Sequence, residues 1–240
     1  MKISEIYAIL DSIAPFELQE SWDNSGLIIG RMDNEFGDIV LSLDLDSHIV
    51  AKAEPKTLFI THHPLIFKGL KALSSTKFPS SLVFKLSKKN CSLIAMHTNY
   101  DKHALNDFVL SEVLGIKEYE KNGFICEFIW NSSFDELAKK VKNAFEIKHL
   151  RVVKSSEHVE KVAFCTGSGA DLIGSFEADC FLTGDLKYHT AFEARHDKLS
   201  LIDIEHYASE KYFAQSLEKA LKKYGISAKI ANSLNPFSYI

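Results

Sequence analysis

Ile3, Ile6, Tyr7 and Leu10 fall at the three- and four-residue spacing of one helical face, and Pro15 closes that segment. The apolar runs that follow have a different grammar. Asp38 to Asp44 reads as a strand, and Ser47 to Ala53 as a short helix. Thr57 to Thr61 is a second strand that runs straight into His62-His63-Pro64, where proline ends regular backbone. Pro79 opens a helix through Lys89, and the strand Ser92 to Met96 comes next. A helix from Ala104 to Leu114 stops at Gly115.

The second half repeats this alternation. Phe124 to Trp130 is a strand, and Ser133 with Glu136 forms a capping-box start for a helix ending near Phe145. Leu150 to Val153 and Lys161 to Thr166 read as strands, Asp171 to Glu177 as a short helix. The strand Cys180 to Thr183 precedes a helix over Tyr188 to His196. The strand Leu199 to Ile204 then leads into a long helix from His206 to Tyr224, with Gly225 beyond it. Strands interleaved with helices predict an α/β architecture with largely parallel pairing and helices on the faces. The polar turn Lys121-Asn122-Gly123 is the one boundary candidate.

Composition narrows the class without naming a function. The 240 residues are 46 % apolar and 25 % charged, enough for a proper core. Lys and Arg number 28 against 32 Asp and Glu, a net charge of −4 that offers no global field for nucleic acid. Lys-rich stretches at Lys85 to Lys89 and Lys219 to Lys223 read as solvated helix faces. Cys91, Cys126, Cys165 and Cys180 lack metal or redox spacing, which points to reduced core thiols. No apolar stretch is long enough for a bilayer, and the opening residues carry no signal-peptide core. A cytoplasmic protein is the expectation.

Chemistry collects at the strand ends, where open α/β sheets bind ligands. Those ends carry Asp44, His62-His63, His97 with Asp101, Thr183-Gly-Asp185, and Asp203 followed by Glu205 and His206. His206 and Glu210 stand four apart on a predicted helix, on one face and about 6 Å apart along its axis. His62, His63, Asp101, His206 and Glu210 together supply five mixed nitrogen and oxygen donors. Two divalent ions need about that many when a carboxylate bridges and water fills open positions. Imidazole with carboxylate suits zinc, iron, manganese or nickel better than calcium. His97 reads either as a group orienting a ligand or as a proton carrier, and His189 either as an acid/base or as structure. Trp22-Asp-Asn-Ser-Gly26 suits a tight turn or a cleft wall. Thr166-Gly-Ser-Gly169 is a poor phosphate-loop match.

The ordered set Trp22-Asp-Asn-Ser-Gly26, Thr61-His-His-Pro-Leu65, His97-Thr-Asn-Tyr-Asp101, Thr166-Gly-Ser-Gly169, Thr183-Gly-Asp185 and His206-Tyr-Ala-Ser-Glu210 resembles the YbgI-type family. Its members are also labelled GTP cyclohydrolase 1 type 2 homologues, or NIF-three-like proteins. The resemblance spans nearly the whole chain. It implies two divalent ions per chain held by His62, His63, Asp101, His206 and Glu210. It also implies two interlinked α/β units with mixed, largely parallel sheets. Residues 1–123 with 200–240 would form the metal-binding unit, and 124–199 an inserted second unit. A toroidal homohexamer with metal sites facing an internal cavity is implied as well. An extra domain carried by many members has no room in 240 residues. Two positions depart from the family pattern: Glu205 and Thr166 stand where glycine is common.

The leading functional expectation is a metal-dependent hydrolase of a nucleotide or phosphoester. It resembles GTP cyclohydrolase 1 type 2, with hydrolytic attack at C8 of the GTP imidazole ring. Glu210 or Asp101 would bridge the ions, and His97 or His189 would shuttle a proton. The alternative from another class is a non-enzymatic metal-binding ring, acting as metal store, chaperone or interaction scaffold. Expected partners are a small-molecule substrate and further copies of the chain, with no membrane and no nucleic acid.

Overall fold

The computed structural model of the chain describes residues 1–238. The strands in chain order are β1 (Gly26–Ile29), β2 (Ile39–Ser42), β3 (Leu58–Thr61), β4 (Ser92–Ala95), β5 (Glu120–Asn122), β6 (Ile125–Ser133), β7 (Arg151–Val153), β8 (His158–Phe164), β9 (Cys180–Thr183), β10 (Ser200–Asp203) and β11 (Lys229–Ile230). Two compact units hold them. The first comprises Met1–Ala104 with Tyr212–Ile240, and the second Leu105–Lys211.

In the first unit the strand order is β1-β4-β3-β2-β11. β2, β3 and β4 run parallel, β11 joins β2 in parallel, and β1 closes the other edge antiparallel to β4. Every residue of β3 and of β4 is buried, as a strand covered on both faces requires. Leu45, Ile49, Val50, Phe59, Leu82, Leu86 and Leu93 pack into one core cluster. Helix Ser47–Lys52 starts at Asp46, whose carboxylate accepts from the amides of His48 and Ile49.

In the second unit the order is β5-β6-β8-β9-β10-β7. β8, β9 and β10 are parallel, and the flanking pairings β5–β6, β6–β8 and β7–β10 are antiparallel. Its core gathers Ile125, Ala163, Phe181, Leu186 and Leu201. Because β10 bonds to both β9 and β7, residues 200–211 stay with this sheet. The division therefore runs at 104/105 and 211/212, where the sequence reading drew 123/124 and 199/200. Both sheets are mixed with parallel centres, the α/β class expected.

Three local expectations change. The long C-terminal helix is two helices, His206–Glu210 and Phe213–Lys222, broken at Lys211-Tyr212 without glycine or proline. The helix expected over Asp171 to Glu177 is a single 3-10 turn, Ala170–Leu172, because Gly174 turns the chain at φ +95°. The helical run 98–114 contains two π-helical stretches, Asp101–Leu105 and Val109–Leu114. All four cysteines are buried thiols, and burial pushes Cys126 up to about 12. No helix among the described residues is long and apolar enough to cross a membrane.

Candidate metal centre

In the first unit, β3 delivers two adjacent histidines to one place. Beyond Thr61 the backbone ladder continues loosely, with the His62 amide on Ser42 O and the His63 amide on Leu43 O. The Thr61 hydroxyl donates to His63 O at 2.8 Å and turns the chain there. The two rings thus lie 5.0 Å apart, although an ideal strand would send them to opposite faces. His62 is fully buried and His63 half-buried. β4 ends nearby and supplies His97, whose ring meets those of His62 and His63 edge-on at 5.1 and 5.5 Å. His62, His63 and His97 each place a ring nitrogen within 4.8 Å of the other two, a group that could hold a metal ion. The buried Asp101 carboxylate comes to 3.3 Å from His62 Nε2.

The proton positions follow from the partners. His62 Nδ1 lies 2.8 Å from Met96 O, an atom that only accepts, so Nδ1 carries the hydrogen. His63 Nδ1 sits 2.7 Å from Asp44 Oδ1, and His97 Nδ1 2.8 Å from Asp23 Oδ1. Each ring therefore turns its Nε2 lone pair inward, the arrangement of a metal-ligating imidazole with an outer carboxylate or carbonyl. Burial opposes ionisation of Asp23, but its bonds from His97, Thr98 and the Asn24 amide outweigh that. They hold it well below the usual carboxylate range.

The second unit repeats the device. His206 opens helix His206–Glu210 just beyond β10, and its Nδ1 donates to Asp185 Oδ2 at 2.7 Å. On its other side Nε2 lies 2.9 Å from Glu210 Oε2, one helical turn on. Burial works against a charged His206, yet the bonds and charges of Glu210 and Asp185 prevail and push it up to about 9. This spot favours positive charge. Gly167, at φ +64°, passes so close that an added Cβ would overlap Glu210 Oε1 and stand 3.7 Å from His206 Nε2. The Thr166-Gly-Ser-Gly169 loop thus packs against the His206–Glu210 pair. Thr166 fits there because its amide and hydroxyl both donate to Asn106 Oδ1, at 2.9 and 3.0 Å.

The donor sets fit divalent ions. Two ligands at about 2.1 Å from one ion lie about 3.0–3.4 Å apart in octahedral or tetrahedral geometry. The 3.3 Å His62–Asp101 separation falls in that range, and the 2.9 Å His206–Glu210 ion pair lies just below its lower edge, so that a small opening would admit an ion. His189 stands exposed on helix Tyr188–His196, edge-on to Tyr188 at 5.3 Å. Sequence reasoning placed Asp44 and Asp185 at strand ends without giving them a role. It missed that Asp23 is the partner of His97. Glu205, half-buried, takes φ +57° immediately before His206, in a region where glycine is at ease.

The comparisons agree with the architecture. A GTP cyclohydrolase 1 type 2 homolog of Campylobacter jejuni is 47 % identical over 240 residues, covering all of both chains. GTP cyclohydrolase 1 type 2 of Helicobacter pylori is 41 % identical, with 99 % of each covered. The crystal structure of a Staphylococcus aureus hypothetical protein, 27 % identical, superposes with a TM-score of 0.86 over 100 % of this chain and 99 % of its own. The profile of the Duf34/NIF3 (NGG1p interacting factor 3) family matches residues 1–235, and the chain belongs to that family.

Proposed function

We propose that the chain is a dinuclear metal-dependent hydrolase acting on a nucleotide or phosphoester, and that GTP, which the relatives' designation names, is the first substrate to test. His62, His63 and Asp101 from the first unit, with His206 and Glu210 from the second, are the proposed ligands of two divalent ions per chain. Zinc, iron, manganese and nickel suit this nitrogen and oxygen set. The observation that carries the reading is that every histidine in both donor sets has its Nδ1 committed to a backbone or carboxylate oxygen.

When bound, the ions supply Lewis acidity to the electrophile and acidify water toward neutrality. The chain's own residues do the rest. Met96 O, Asp44 and Asp185 fix the rings of His62, His63 and His206. Asp101 or Glu210 would supply the carboxylate shared by the two ions. Asp23 holds His97 by Nδ1, so that Nε2 takes and returns a proton. The exposed His189 is the second proton-transfer candidate. Assembly as a toroidal homohexamer belongs to the same proposal, and a sedimentation mass of six chains checks it.

Purified protein should carry about two transition-metal ions per chain, and GTP turnover should vanish on chelation and return with metal. His62→Ala should lose at least one ion with its circular dichroism intact, and Glu210→Ala should lose turnover. Unchanged metal content in His62→Ala defeats the ligand set. Metal-loaded protein idle on a panel of nucleotides and phosphoesters points instead to storage or scaffolding.

A further inference from the structure

Trp22 and Phe67 are 57 % and 41 % exposed, although such side chains contribute most when packed away. Their rings lie 5.8 Å apart at 52°. Each meets the His97 imidazole edge-on, at 6.2 Å from Trp22 and 5.9 Å from Phe67. His97 in turn faces His62 and His63. The two aromatic faces therefore border the histidine group directly, all within the first unit.

Bonds outside the rings hold this pair. Asn24 Nδ2 donates to Ile66 O at 2.6 Å, tying the Trp22 loop to the residue before Phe67. Asp23 accepts from His97 Nδ1, the Thr98 amide and the Ser25 hydroxyl, and Gln19 Oε1 accepts from the Ser25 amide at 2.9 Å. An exposed aromatic surface fixed in this way pays little ordering entropy when a ligand covers it. A phosphoryl group gains nothing from an apolar face, whereas a flat heteroaromatic ring can stack on the exposed indole and meet the tilted Phe67 ring at an angle.

We propose that Trp22 and Phe67 form the wall that stacks a planar heteroaromatic ring of the substrate, and so determine specificity beside His97. The inference rests on the hydrolase reading for its reaction but is tested by binding alone. In a Trp130→Phe background Trp22 is the sole indole. Guanosine should quench its emission in metal-free and zinc-loaded protein alike, while ribose 5-phosphate and tripolyphosphate should not. Trp22→Ala should weaken GTP binding by calorimetry about tenfold or more, the loss expected for one base–aromatic stack. Trp22→Phe should restore most of it, with bound zinc unchanged throughout. Equal GTP affinity in parent and Trp22→Ala overturns the proposal, as does equal Trp22 dependence for tripolyphosphate. A Trp22→Ala change in oligomeric mass without any ring binding overturns it too, and assigns the wall to a second copy of the chain. Ring binding without turnover upholds the wall and sinks the hydrolase; turnover indifferent to Trp22 does the reverse.

Discussion

Asp44 and Asp185 each take the Nδ1 hydrogen of one histidine through a side chain, so an exchange at either alters a ring without touching its inward nitrogen, whereas His62 is held by the Met96 backbone carbonyl, which side-chain changes leave in place. Asp44→Asn should therefore lower metal affinity by about 10–100-fold yet reach full stoichiometry at saturating metal. A chelator-competition titration reads both quantities, and loss of stoichiometry would make Asp44 something other than an orienting group. Gly167→Ala should be worse. It places a methyl on Glu210 and forces alanine to φ +64°, a strain of about 1–3 kcal/mol before any effect on the donors. Its metal content and melting temperature should both fall. The donor types were legible because imidazoles and carboxylates at strand ends stand out in an apolar background. Their orienting partners were not: Asp23 is 74 positions from His97, and only the folded sheet brings them together.

Among elements, the helix His206–Glu210 starts under strain. Glu205 precedes it at φ +57°, ψ 148°, a conformation that costs a residue with a Cβ but suits glycine. Glu205→Gly should stabilise the protein by about 1 kcal/mol, seen as a rise of about 2–4 °C in melting temperature. A fall would mean that the glutamate side chain offsets its own backbone cost. The same segment marks the limit of reading elements from pattern. Apolar spacing from His206 to Tyr224 is continuous, so it predicts one helix; the break at Lys211-Tyr212 lies where the two units divide and has no local signal. β2, β3, β4, β9 and β10 were legible as short unbroken apolar runs bounded by polar residues. β11, two residues long, exists only through its pairing with β2. β1 was hidden because its apolar run is a single antiparallel edge strand beside a conspicuous polar motif.

At the scale of the whole chain, a bound ion that prefers the native state adds stability by mass action. With free metal at about a hundredfold excess over its dissociation constant the gain is about 2.7 kcal/mol, a shift of several degrees. Chelation should lower the melting temperature accordingly, and His62→Ala should flatten that response; a metal-independent melt would argue that the donors hold nothing. The α/β class was legible from alternation alone, whereas the division at 104/105 falls inside a helical run and leaves no trace in composition. The thiols give this bipartite arrangement a practical reading. Cys91 belongs to the first unit, and Cys126, Cys165 and Cys180 to the second, all shut away from solvent. Alkylating reagents attack only an exposed, ionised sulfur. Mass-resolved labelling of Cys91 against Cys126 would thus time the opening of each half separately, giving the protein a built-in stopwatch for which part lets go first.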